Sequence, residues 1–67
     1  MKKCLNLLLF RKEHQLKQYE MAEKLGITRQ HYNRLENGKN NPSEKLYQKI
    51  EKEFPDVKNV RDLFKKS

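Results

Sequence analysis

Glycine and proline occur only twice each in these 67 residues, cysteine once, and no apolar run is long. Each scarcity closes an option. Cys4 has no second thiol, so no internal disulfide staples the fold and a reducing compartment suits the chain. One cysteine and two scattered histidines, His14 and His31, match no zinc-ligand spacing, and neither a metal nor another cofactor is expected. The opening MKKCLNLLLF holds too short an apolar stretch for a secretion signal, and RKEH follows at once. A membrane span would need about 20 apolar residues. The chain is therefore expected to be soluble and cytoplasmic. No alternating apolar and polar run suggests a strand. Repeats, linkers and low-complexity tracts are missing too, which favours one domain over residues 1–67.

Acidic residues are also in short supply. Nine Asp and Glu face 16 Lys and Arg, a formal net charge of +7. On so small a domain that excess points to a polyanionic partner, either nucleic acid or an anionic membrane surface. The cations are spread over several segments and form no single basic amphipathic face, which speaks against the membrane. A composition 34% hydrophobic and 37% charged is lean enough for disorder, but the apolar residues recur at helical spacing. No nucleophile–base pair or carboxylate constellation stands out. A chain this short can hardly enclose a pocket of the usual ~300 Å³ or more, so an enzyme is not expected.

What is present predicts an all-α bundle of five short helices. The first runs roughly from Cys4 to His14. The second runs from about Gln18 to Leu25, where Gly26 suits a left-handed end. Thr28 can N-cap a third that reaches Glu36 and stops at Asn37-Gly38. Ser43 caps a fourth with Leu46, Ile50 and Phe54 as its buried stripe, and Pro55 ends it. Asn59 caps a last short helix, VRDLF. On a wheel of about 100° per residue, Thr28, Tyr32 and Leu35 share the inward face of the third helix. Arg29, Gln30, Asn33 and Arg34 take the outward face, with His31 at the side. A face kept polar only for solubility more often mixes Glu with Lys. These four are all non-acidic and capable of bidentate bonding: Arg matches guanine O6 and N7, while Gln and Asn match adenine N6 and N7.

The segment from Gln18 to Ser43 reads as helix, glycine-containing turn and second helix, with the helix-turn-helix at about 18–36. In order, Leu16, Gln18, Met21, Ala22, Gly26, Ile27, Thr28, Tyr32, Glu36, Asn37, Gly38, Pro42 and Ser43 fall at the motif positions of the phage repressor and Cro family, also called the XRE family. With Arg11 upstream and VRDLF downstream, the chain resembles that family over nearly its whole length. The resemblance implies a lambda-repressor-like DNA-binding domain that acts as a transcriptional regulator, most simply a repressor on double-stranded DNA. It implies base reading by Arg29, Gln30, Asn33 and Arg34. Phosphate contacts are implied for Gln18, Asn37, Lys39 and Asn40. Lys17, Thr28 and Lys45 extend that set. Arg11 and Glu36 match an internal ion pair of relatives and are then structural. One module buries too little surface for tight specific binding, so a homodimer on a palindromic operator is expected. Its contacts are sought in the loop Pro55–Asn59 and in VRDLF, because little length remains for a separate oligomerisation domain. An antitoxin that binds both DNA and a toxin protein is the rival.

The chain departs from the family pattern in three places. Lys17 stands where a capping Ser or Thr is usual and cannot accept amide hydrogen bonds, which should weaken that helix start by ~1 kcal/mol. Tyr32 replaces a smaller aliphatic residue, and its hydroxyl needs a partner or a route to solvent. Leu5, Leu7, Leu8, Leu9 and Phe10 cannot all face one core. Leu7 and Phe10 match core positions. Cys4, Leu5, Leu8 and Leu9 either pack on Val60, Leu63 and Phe64 or leave an exposed patch for a partner protein on the first or last helix.

Overall fold

Three of the helices end in the same backbone device. The computed structural model describes residues 3–66; Met1, Lys2 and Ser67, the ends of the expected domain, lie outside them. Helix α1 spans Leu5–Glu13, α2 Gln18–Leu25, α3 Arg29–Glu36 and α4 Glu44–Glu53, and a 3-10 helix follows at Val60–Phe64. No strand occurs among the described residues. After α1, α2 and α3 the chain enters the left-handed region at Gln15 (φ 56°), Gly26 (φ 70°) and Gly38 (φ 72°). At each, two amides turn back onto the last helical carbonyls: Gln15 to Lys12 and Leu16 to Arg11, Gly26 to Glu23 and Ile27 to Ala22, Gly38 to Leu35 and Lys39 to Arg34. Such paired bonds satisfy carbonyls that a helix end otherwise leaves open. A Cβ at Gly26 would meet nothing within 4 Å, so the residue is needed there for its backbone angle and not for space. Gln15 adopts the same conformation without that freedom.

The helix starts divide by chemistry. Thr28 Oγ1 accepts the His31 amide at 3.1 Å and Ser43 Oγ the Leu46 amide at 3.2 Å. Lys17 offers no acceptor, but Glu20 reaches back and accepts the Lys17 amide at 2.8 Å. That is half of a capping box, and it offsets part of the weakness expected at this start. The fifth element, the expected last short helix, is of the 3-10 kind. Its five residues are bracketed by tight bonds from the Asp62 amide to the Asn59 carbonyl and from the Lys65 amide to the Asp62 carbonyl. So short a segment gains little from i→i−4 pairing.

Tyr32, Leu7, Met21, Leu35, Ile50 and Cys4 form the fully buried centre, with Leu25, Leu46, Phe54, Val60 and Leu63 around it. The 10.5 Å radius of gyration agrees with the about 11 Å expected of one close-packed domain of this length. α1 packs on the 3-10 helix, and α2 packs on α3 and α4. The surplus apolar residues of α1 split accordingly. Cys4 is 1% exposed, its amide donates to the Glu36 carbonyl at 2.8 Å, and its thiol lies 3.6 Å from the Phe64 carbonyl. Burial pushes that thiol above its ordinary value of 9.0. Leu8 is half-buried, while Leu5 and Leu9 stay 45% and 47% exposed. His14 fills a rim position between the rings of Phe10 and Phe54, at centroid distances of 4.3 and 5.0 Å. Its ring nitrogens lie 2.9 Å from the Phe10 carbonyl and 3.2 Å from the Asp56 carboxylate.

Candidate nucleic-acid interface

The turn after α2 aims α3 so that its polar side faces outward. Ile27 is half-buried, while Tyr32, Leu35 and Glu36 anchor the inward side. Arg29, Gln30, Asn33 and Arg34 are all exposed on the other side. They line one open groove with Gln18 of α2 and Lys39 of the following loop, about 570 Å³ in volume and without an acidic residue. Lys39 reaches this place because Gly38 turns the chain back, and its amide bonds to the Arg34 carbonyl at 2.9 Å. Ion pairs among the described residues include Arg11–Glu36, His14–Asp56, Lys49–Glu53, Arg61–Glu44 and Lys65–Asp62. None involves Arg29, Arg34 or Lys39. The positive charge of the groove therefore faces outward unneutralised by these pairs.

Beneath the groove lies a chain of hydrogen bonds. Arg11 donates from Nε to Glu36 at 2.6 Å and from Nη1 to the Leu16 carbonyl at 2.8 Å, its side chain 11% exposed and that of Glu36 6%. The hydrogen bond to Glu36 holds the Arg11 guanidinium above even its ordinary range, so it stays charged. Glu36 also accepts from Gln18 Nε2 at 3.1 Å. Gln18 Oε1 accepts from Asn33 Nδ2 at 3.3 Å, and Asn37 Nδ2 donates to the carbonyl and side-chain oxygens of Asn33 at 2.9 and 3.1 Å. Gln18 and Asn33 thus have oriented amides, each with hydrogen-bonding capacity left over. The carboxylate that pairs with Arg11 also steers Gln18. That second role depends on tertiary contact between α2 and α3, and no local pattern in the sequence carries it.

The remaining candidates are placed less uniformly. The Thr28 hydroxyl is engaged in capping α3, and Lys17 stands exposed just ahead of Gln18. Asn40 is half-buried in the loop. Lys45 does not line the groove; it borders a separate hollow with His31, on the side of α3 where that histidine was expected. Lys3 was not among the candidates, yet it lines a smaller hollow with Gln18, Asn33 and Asn37 at the groove's edge. Tyr32 is wholly buried beside Arg11 and Glu36. Its hydroxyl feels both neighbours without closing a hydrogen bond, and among the described residues it is the one buried side-chain polar atom without a partner. Burial, followed by the Glu36 carboxylate, pushes its phenol far above the ordinary 10.0.

Groups of three or more His, Cys, Asp or Glu side chains able to hold a metal ion are not found among the described residues. No helix among them is long and apolar enough to cross a membrane. A family model described as helix-turn-helix matches residues 7–58, which takes in all but the first two residues of α1, all of α2 to α4, the groove and the hydrogen-bond chain beneath it. No curated protein and no solved structure matches the chain.

Proposed function

The chain belongs to the helix-turn-helix family of the XRE, phage repressor and Cro type and is a DNA-binding transcription regulator; from that premise we propose that it is a sequence-specific repressor that binds a palindromic operator as a homodimer. The observation that carries this reading is the acid-free groove of Gln18, Arg29, Gln30, Asn33, Arg34 and Lys39 on the exposed side of α3. In the proposed complex α3 enters the major groove. Arg29 and Arg34 address guanine edges, and Gln30 and Asn33 address adenine edges. Gln18, Lys39, Asn40 and the loop start at Asn37 set the register on phosphates, with Lys17, Thr28 and Lys45 at the margin of the footprint.

Phosphate neutralisation supplies most of the affinity and its salt dependence, while base edges supply discrimination. One domain offers a single recognition helix, so a two-fold pair with half-sites about 34 Å apart gives the reach that tight regulation requires. The loop Pro55–Asn59 and the 3-10 helix are the proposed dimer contacts. Repression follows by occlusion of a promoter in the cytoplasm, and no chemical step is part of the reading. The exposed pair Leu5 and Leu9 favours one rival, an antitoxin that covers these leucines with a toxin protein.

The test is selection from a random duplex library near physiological salt, where loose basic attraction is screened. Recovery of an inverted repeat supports the dimeric regulator. Recovery of a single half-site removes the dimer, and enrichment of nothing removes sequence-specific reading. Co-purification of a second small protein that masks Leu5 and Leu9 would favour the antitoxin.

A further inference from the structure

We propose that the hollow between the helix-turn-helix and the start of α4 is a binding site for a small organic acid with an apolar body. The hollow is half open to solvent and measures about 330 Å³, at the lower end of small-molecule sites and more than so short a chain was expected to offer. Its floor is Leu25, Ile27 and Leu46, and its ionisable rim is His31, Lys45 and Lys49. Leu25 and Leu46 are 4% and 6% exposed and Ile27 is half-buried, so the floor belongs to the packed core and does not depend on mobile side chains. No carboxylate lines the cavity.

That division of chemistry selects the ligand. An apolar floor gains from burying a ring or a short acyl chain, a contact that a bare phosphate cannot make even where the polar rim attracts it. The ionisable residues of the rim are bases only, beside the neutral Asn41 and Ser43, and they complement one negative charge. Lys49 is shared with Glu53 at 3.6 Å, which leaves Lys45 as the principal seat for a carboxylate. A cation would find no counter-charge here. The volume admits one or two fused rings. The site stands on the cavity alone. Its consequence for DNA rests on the role proposed above for Lys45: a carboxylate held by Lys45 takes that cation from the DNA backbone, so the ligand opposes DNA binding.

The test uses 2-naphthoate, its uncharged carboxamide and inorganic phosphate. Each is titrated into the isotope-labelled chain without DNA and followed by amide chemical shifts. An acid of about 13 non-hydrogen atoms at ordinary ligand efficiency binds near ~1 mM, which sets the titration range. The expected result is saturable shifts at Leu25, Ile27 and Leu46 with naphthoate, weaker binding of the carboxamide, and none of these shifts with phosphate. Lys45→Gln should lower the naphthoate affinity about two- to fivefold, as for one solvated ion pair. Shifts that do not saturate, that fall on the Arg29 and Arg34 face, or that phosphate reproduces would overturn the site. A second arm measures duplex binding by fluorescence anisotropy at saturating naphthoate. Weakened binding supports the opposition to DNA, and unchanged affinity refutes it. A chain that binds no duplex at all would count against the proposed repressor function, while the shift data decide the ligand site separately.

Discussion

Two arginine–glutamate pairs in this domain have nearly the same length and very different surroundings. Arg11 meets Glu36 at 2.6 Å, and Arg61 meets Glu44 at 2.7 Å. The first pair is 11% and 6% exposed, the second 62% and 70%. The buried pair joins α1 to the end of α3 and passes its order on to Gln18 and Asn33. The exposed pair joins the 3-10 helix to the start of α4, where Arg61 also stacks over the Tyr47 ring at 4.5 Å and Tyr47 packs edge-on against Phe64. Distance alone would rank them equal. Water decides otherwise: the exposed charges are already well solvated, whereas either member of the buried pair is stranded without the other.

Glu36→Ala is expected to have the largest effect, a loss of about 3–5 kcal/mol in urea unfolding, because it strands the Arg11 guanidinium and frees Gln18. Replacing both partners with Met and Leu should recover much of that loss; a double variant no better than Glu36→Ala would show that the pair itself, and not the stranded charge, sets stability. The groove above the pair yields the next effect. Arg29→Ala or Gln30→Ala should cost about 1–3 kcal/mol on the selected duplex and relax preference at one base position. Lys39→Ala should instead weaken all sequences alike and shallow the salt dependence. Equal losses on selected and random duplexes for all three variants would remove the division between base reading and phosphate contact.

Alkaline pH tests the buried side from another direction. The folded chain holds the Tyr32 and Cys4 protons more tightly than the unfolded chain does, so their contribution is complete below about pH 9 and falls as the unfolded groups begin to ionise. Stability should therefore decline above that pH, and Tyr32→Phe should flatten the part of the decline beginning near pH 10. A decline unchanged in Tyr32→Phe would place its origin elsewhere. The smallest effect belongs to the exposed pair. Arg61→Ala should leave the melting temperature nearly where it was, and a loss comparable to that of Glu36→Ala would refute the ranking by burial.

The helix-turn-helix was readable where one residue does one local job. Gly26 and Gly38 take positive φ, Thr28 and Ser43 cap, and Pro55 follows α4, so α2, α3 and α4 lie within a residue or two of where these signals put them. The helical wheel likewise separates Tyr32 and Leu35 from the four exposed residues of α3, but Thr28, which it puts on the inward face, is exposed because it caps the helix from outside the first turn. Legibility fell off where the outcome depended on distant chain. Cys4 looked surplus from α1 alone and is buried because the 3-10 helix and the end of α3 close over it. Glu20 supplies half of a capping box without the usual hydroxyl partner, so no Ser or Thr at position 17 signals it. Gln15 ends α1 in a conformation usually reserved for glycine, held by bonds to Lys12 and Arg11 that only the folded turn displays.

The meeting of Cys4 with Glu36 and Phe64 has a consequence in time. A ribosome makes residue 4 well before residue 64, by about 3–12 s at ordinary elongation rates. Late in that interval α3 already exists as sequence, while Val60 and Leu63 are still missing from the core they complete. A truncation before Val60 would therefore leave the apolar side of α1 uncovered.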